Sequence, residues 1–225
     1  MRVSEGEIDL ILERCRSLSG AKGNYLEADF IRNLFLTVLD FQMHGRSVEK
    51  AIQFYTDHAW DKIRSIDELQ ALLSMYPDDK DGNTEVAQVL WGNKHWTRIG
   101  LLRRLVEFFK ELRIENQERL RDWATTSDYN RDFKGRIPGM GLAIYNWLVM
   151  RQGVEKVKPD VHLHRFVKNT IGRTFSDADL ADTLQEVARR MSLKAYELDW
   201  RIWEHQRGQG WTVPPAASTT SIEAQ

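Results

Sequence analysis

Asp132 to Val167 reads DFKGRIPGMGLAIYNWLVMRQGVEKVKPDVHLHRFV, and the reading of this stretch decides the fold. A polar approach leads into Ile137-Pro138-Gly139-Met140-Gly141, and an apolar helix is expected over Leu142 to Met150. A basic loop then runs to Pro159-Asp160, where a second helix begins with Val161. Pro138 presets φ for a turn, and Gly139 and Gly141 are expected to allow positive φ or close approach of another backbone. The helix behind such a turn carries unpaired N–H groups and the positive end of its dipole, which together suit a phosphate.

Outward from this core the pattern stays helical. Apolar residues at helical spacing mark Ser4 to Leu18, Glu27 to Met43, Ser47 to His58, Trp96 to Ile114 and Lys194 to His205. Ser65-Ile66-Asp67-Glu68 is a capping box for a helix reaching Met75, and Ser176 caps one carrying Leu180, Leu184, Val187 and Met191. Tyr76 to Asn83 reads as a polar break before a short helix over Thr84 to Leu90, and Arg119 to Lys134 as a polar approach to the turn. No alternation of strand type and no repeat is present, so the fold class expected is all-α. The segment 209–225 is rich in Pro, Ser and Thr and is expected to be a disordered tail.

Composition limits the function classes. The chain has 225 residues, 42% of them hydrophobic, with eight Trp and a formal net charge of −1. No apolar run reaches membrane-spanning length, and Met1-Arg2-Val3-Ser4-Glu5 lacks a signal-peptide core, so a cytoplasmic protein with no membrane partner is expected. Cys15 is the only cysteine, which excludes an internal disulfide. The overall charge does not advertise nucleic-acid binding, which would need a local basic face. Lys156, Lys158, Arg165 and Lys168 form one such group, and Arg98, Arg103 and Arg104 a second; solvated helix surface is the plainer account of both.

Ile-Pro-Gly-Met-Gly before an apolar helix, with Lys-Pro-Asp-Val-His-Leu-His-Arg-Phe behind it, resembles the helix-hairpin-helix (HhH-GPD) DNA glycosylases typified by endonuclease III. The resemblance spans Glu27 to Arg207 and implies a two-lobed helical fold with DNA in the cleft between lobes, and with it a nucleoid-associated location and a monomeric state. Residues 1–44 and 128–208 would form the lobe with the hairpin and the catalytic aspartate, and 45–127 the other. It implies Asp160 as the catalytic carboxylate, with hairpin residues Arg136, Ile137, Gly139, Met140 and Gly141 on DNA phosphates. Family hairpins often hold a monovalent cation, K+ or Na+, on backbone carbonyls; no other cofactor is implied, and no metal site from side chains.

Gln42 matches the glutamine that enters the duplex where the target nucleotide has left, with His44 and Arg46 beside it; a plain helix-capping glutamine is its simpler reading. His162 and Arg165 match positions expected near DNA. A metal pair from His162 and His164 has no third ligand at supporting spacing. Candidate walls of a base pocket are Trp147, Tyr145, Trp200 and Trp203, with Trp60 and Trp96 from the other lobe; for each, core packing is the plainer account.

Two departures from the family matter. One cysteine cannot hold the four-cysteine iron–sulfur cluster of many endonuclease III relatives. Bifunctional members carry a lysine two residues past the second hairpin glycine, and here that residue is Ala143. The expectation is a monofunctional glycosylase that flips a damaged or modified base from double-stranded DNA and hydrolyses its N-glycosidic bond, without lyase action. A DNA-binding hairpin protein with Asp160 as a mere helix cap, and a helical interaction module with a tryptophan face, are the rival classes. The order Gln42, hairpin, Pro159-Asp160 favours the first. Alkylated, oxidised, deaminated, mismatched and phage-modified bases all remain open as targets.

Overall fold

In a computed structural model the described residues are 3–20, 25–40, 43 and 45–207. They form eleven α-helices and one π-helical turn and contain no strand. The helices are α1 (Glu5–Arg16), α2 (Phe30–Leu39), α3 (Gly45–His58), α4 (Ile66–Ser74), α5 (Lys80–Trp91) and α6 (Trp96–Glu111). They continue as α7 (Gln117–Thr126), the π turn Tyr129–Phe133, α8 (Leu142–Met150), α9 (Val161–Ile171), α10 (Asp177–Arg190) and α11 (Ala195–Arg207). The protein is all-α. No described helix is long and apolar enough to cross a membrane.

The described chain divides into two compact units. One joins the segment up to Ala28 with everything from Gln117 onward; the other holds Asp29–Asn116. These boundaries differ from 44/45 and 127/128. The segment α2 packs on α3 and α6, and so sits with the middle of the chain, while α7 packs on α8.

Local chemistry sets the helix ends. Ser4 with Glu7 and Ser65 with Glu68 form capping boxes, while Asp29 and Ser176 accept N–H groups of their own first turns. Gly92 ends α5 at φ +63°, where an added Cβ would strike the Phe54 ring at 2.6 Å. Gly172 ends α9 at φ +78°. Two sequence expectations need correction. The polar run at Asp79 to Asn83 is no break: Asp79 takes the Gly82 N–H at 2.8 Å and starts α5 at Lys80, four residues before Thr84. The polar approach of Arg119 to Lys134 is largely helical, because Leu120, Ala124 and Phe133 are buried under it.

In the middle unit Phe35 packs edge-on against Tyr55 and Trp91. Arg103, expected as surface charge, is structural there. Its guanidinium donates to Asn83 Oδ1 at 2.8 Å and to the carbonyls of Leu73 and Tyr76 at 2.7 and 2.9 Å, which ties α6 to the ends of α4 and α5.

The unit formed from the chain ends has a core of Ile11, Leu12 and Cys15 from α1 against Leu163, Phe166 and Val167 from α9. Leu180, Leu184 and Val187 of α10 and Leu198 and Ile202 of α11 complete it. Each such aliphatic side chain gains roughly 1.5–3 kcal/mol on leaving water. Burial pushes the Cys15 thiol up to about 12, so it is a core hydrophobe and not a nucleophile. This core holds α9 and α11 side by side, and α9 carries the residue on which the functional reading turns.

Candidate functional site

The hairpin is built by a turn that its sequence dictates. Met140 N–H donates to Ile137 C=O at 3.1 Å, with Pro138 and Gly139 at the corners and Gly139 at φ +89°. Pro followed by a positive-φ glycine is the signature of a type II turn. Ile137 and Met140 are buried and anchor it from within; Pro138 and Gly139 form its exposed tip.

Gly141 departs from the expectation of positive φ. It is the N-cap of α8 in an extended conformation, φ −92°, and no side chain caps the helix there. A Cβ added at Gly141 would meet nothing within 4 Å. Neither backbone strain nor internal packing therefore requires glycine at this position; what its missing side chain leaves is open space before the first turn of α8.

From α8 the chain is led to Asp160 by a short series of bonds. Asn146, buried on α8, donates through Nδ2 to Val157 C=O at 2.6 Å. Val157 and Pro159 are buried, and Asp160 N–H donates to Lys158 C=O at 2.7 Å. Asp160 is the N-cap of α9: its Oδ1 accepts the His162 and Leu163 N–H groups at 2.8 and 3.2 Å. That fixes the carboxylate rotamer. Its other oxygen, Oδ2, lies 3.9 Å from Lys158 Nζ, and the two side chains are only 18% and 14% exposed.

Lys158 Nζ also sits 4.7 Å from the centre of the Trp147 ring, as does Arg151 Cζ. A cation over an indole is attracted by the negative face of the ring, more strongly where water is excluded. Trp147, Tyr25, Met150 and Trp200 form a second buried cluster, with Tyr196 and Trp203 packed against it. Tyr25 stands edge-on to both Trp147 and Trp200, and His162 stands edge-on to Trp203.

At the base of this cluster is a carboxylate that sequence reading missed. Asp199 on α11 is 4% exposed. Its Oδ1 accepts the Tyr25 hydroxyl at 2.8 Å and its Oδ2 the Lys158 backbone N–H at 2.6 Å. Burial first, then the neighbouring Asp160 charge, push the Asp199 carboxyl up to about 7, against the pull of these two hydrogen bonds. The same burial, with Asp199 beside it, holds the Tyr25 hydroxyl well above the usual phenol range.

A family model described as a domain of unknown function, DUF8548, matches residues 9–207. The chain belongs to the DUF8548 family. No curated protein and no solved structure matches it.

Within this DUF8548 chain the residues singled out from sequence take several different places. Asp160, Trp147, Trp200, Trp203 and His162 are brought together around Lys158 and Asp199. Tyr145 is not among them. It is buried in the core of the hairpin against Trp123, Tyr129 and Phe133, and its hydroxyl donates to Ser127 C=O at 2.8 Å. Arg136 and Arg165 are exposed in the hairpin unit, and Arg46, Trp60 and Trp96 belong to the other unit. Gln42, His44 and the tail 209–225 lie outside the described residues. His164 is tied to Asp177 on α10 at 2.8 Å. Among the described residues no three His, Cys, Asp or Glu side chains are gathered as a metal site.

Proposed function

We propose that this protein is a DNA glycosylase that extrudes a damaged or modified base from the duplex and hydrolyses its N-glycosidic bond with Asp160. The observation that carries the reading is the short connection from hairpin to carboxylate. The Ile137–Met140 turn opens α8, Asn146 of α8 holds Val157, and the next residues deliver Asp160 to the start of α9 in a fixed rotamer. An anion seat and a preorganised acid on adjoining elements are what chemistry on a phosphodiester-linked sugar requires.

The division of labour follows from charge. Phosphate oxygens accept from the open first turn of α8, where Gly141 presents no side chain. These contacts position the duplex without reading its sequence. Rupture of an N-glycosidic bond develops positive charge on the sugar, and a fixed carboxylate stabilises it without reorganising. Asp160 Oδ1 is engaged by backbone N–H groups, so Oδ2, next to Lys158, is the oxygen left to face sugar or water.

One specific observation favours a second reading. Two backbone bonds make Asp160 a complete helix cap, a role that needs no chemistry. On that reading the protein binds DNA through the hairpin and excises nothing. The experiment that separates them uses a panel of duplexes, each carrying one alkylated, oxidised, deaminated, mismatched or otherwise modified base. Strand scission only after alkali, at one or more lesions, supports the glycosylase. Binding across the panel without scission supports the second reading.

A further inference from the structure

Asp199 is the buried carboxylate of the site, and the reaction outlined above gives it nothing to do. A carboxylate withdrawn from water is costly unless its oxygens are satisfied. Here both are, and by partners from two distant segments: Tyr25, ahead of α2, and the Lys158 N–H, two residues before Asp160. We infer that Asp199 is a positioning residue for Asp160: by accepting the Lys158 N–H at 2.6 Å it fixes the Lys158–Asp160 turn to α11, and with it the place from which the Asp160 carboxylate acts. The inference rests on the glycosylase reading for its consequence in catalysis, but its geometric content does not.

The bond chain is short. Asp199 holds Lys158 N–H, Lys158 C=O accepts Asp160 N–H at 2.7 Å, and Asp160 C=O accepts His164 N–H at 3.0 Å. A change at Asp199 is therefore transmitted through one residue to the N-cap of α9. Charged and titratable groups around it are Asp160 and Lys158 on the loop and Tyr25 ahead of α2; Glu204, further along α11, acts on Tyr25.

Because Asp199 titrates near neutrality, the turn has two states within the working range. When ionised, it accepts from both Tyr25 and Lys158 and adds a second negative charge behind Asp160, which favours the cationic transition state. When neutral, it donates to Tyr25 and keeps one weaker acceptor for Lys158. Asp199→Asn copies the neutral state, since its amide can donate to Tyr25 and its carbonyl can accept from Lys158.

The test follows the backbone amide signals of Lys158, His162 and Leu163 by NMR between pH 5.5 and 8.5, in the free protein. A His162→Gln background removes the imidazole that lies among these amides, and the signal at position 162 is then that of the glutamine. The three signals are expected to move together with a midpoint near 7, to stop moving in Asp199→Asn, and in Asp160→Asn to keep the step at a lower midpoint. A common step that persists in Asp199→Asn overturns the inference, as does the absence of any common step in the parent protein. Excision of a panel lesion separates this from the glycosylase reading. The expectation is a rate that rises about tenfold through pH 7 in the wild type and is flat in Asp199→Asn. Excision abolished by Asp160→Asn but unchanged in Asp199→Asn at every pH overturns the positioning role and leaves the reading standing. No excision by the wild type overturns the reading, and the amide titration then decides the positioning role alone.

Discussion

The ammonium of Lys158 stands 3.9 Å from Asp160 Oδ2 and is itself largely shielded from water. In the sequence Ala143 occupies the position where lyases carry their amine, and Lys158 belongs to a basic group whose plainer account is solvated surface. Lys134 is exposed near the hairpin, with Nζ 3.5 Å from Asn130 Oδ1. Lys158 is the amine beside the carboxylate.

A Schiff base needs a neutral amine; burial and the Arg151 guanidinium over the Trp147 ring favour that form, but the Asp160 carboxylate at 3.9 Å and the face of the same ring oppose it. The Asp160 carboxylate and the Trp147 ring face each favour the ammonium, which has no lone pair to attack a sugar. Borohydride is therefore expected to trap no covalent adduct between the protein and an abasic duplex. An adduct that forms and then disappears in Lys158→Ala would show that a lyase amine has been moved to the loop.

Stability should carry the signature of Asp199. Its pKa is raised from 3.8 to about 7, so between those values the folded protein holds a proton that the unfolded chain has lost. Stability is then greatest below the window, declines as pH rises through it, and is level above it. At about 1.4 kcal/mol for each unit, the loss is on the order of a few kcal/mol. Glu7 and Glu186, held at about 2 by Arg173 and by Arg189 with Arg190, act in the opposite sense and only at lower pH, where their stabilisation is lost on acidification. Asp199→Asn is expected to flatten denaturant-measured stability between pH 5 and 8 and to raise it at pH 8. An unchanged slope would contradict the burial assigned to this group.

The two hairpin glycines should respond differently to alanine. Gly139 sits at φ +89°, so Gly139→Ala is expected to cost about 1–2 kcal/mol of stability. Gly141 has an ordinary φ and open space where a Cβ would go, so Gly141→Ala should lower the melting temperature by only a few degrees, the cost of alanine at an N-cap. Its effect should appear in binding, several-fold weaker for every duplex alike. A Gly141→Ala protein that binds DNA normally would remove the hairpin from the interface.

What could be read from sequence was whatever is local. Apolar spacing, the Ser65-Glu68 box and the Ser176 cap identify helices and several of their ends. The Pro138-Gly139 turn and the Asp160 cap were legible for the same reason, since each bond closes within three residues. Asp199 was not, because its partners lie 174 and 41 residues away and an aspartate inside an amphipathic helix looks like surface charge. Arg103 was misjudged in the same way, with acceptors 20 to 30 residues distant. Tyr145 packs against Phe133 and Ser127, neighbours that sequence does not give, because helical spacing fixes which face a side chain takes and not what waits there.

The central claim is that Asp160 performs chemistry and does not only cap α9. Asparagine can still accept a backbone N–H as an N-cap, so Asp160→Asn separates the two roles. The measurement is single-turnover excision of a panel lesion by wild type and Asp160→Asn, with duplex affinity and melting temperature determined alongside. The account predicts excision reduced at least 100-fold, a melting temperature nearly unchanged, and duplex binding equal or tighter through loss of a negative charge near phosphates. Excision by Asp160→Asn at a rate near that of the wild type would contradict it.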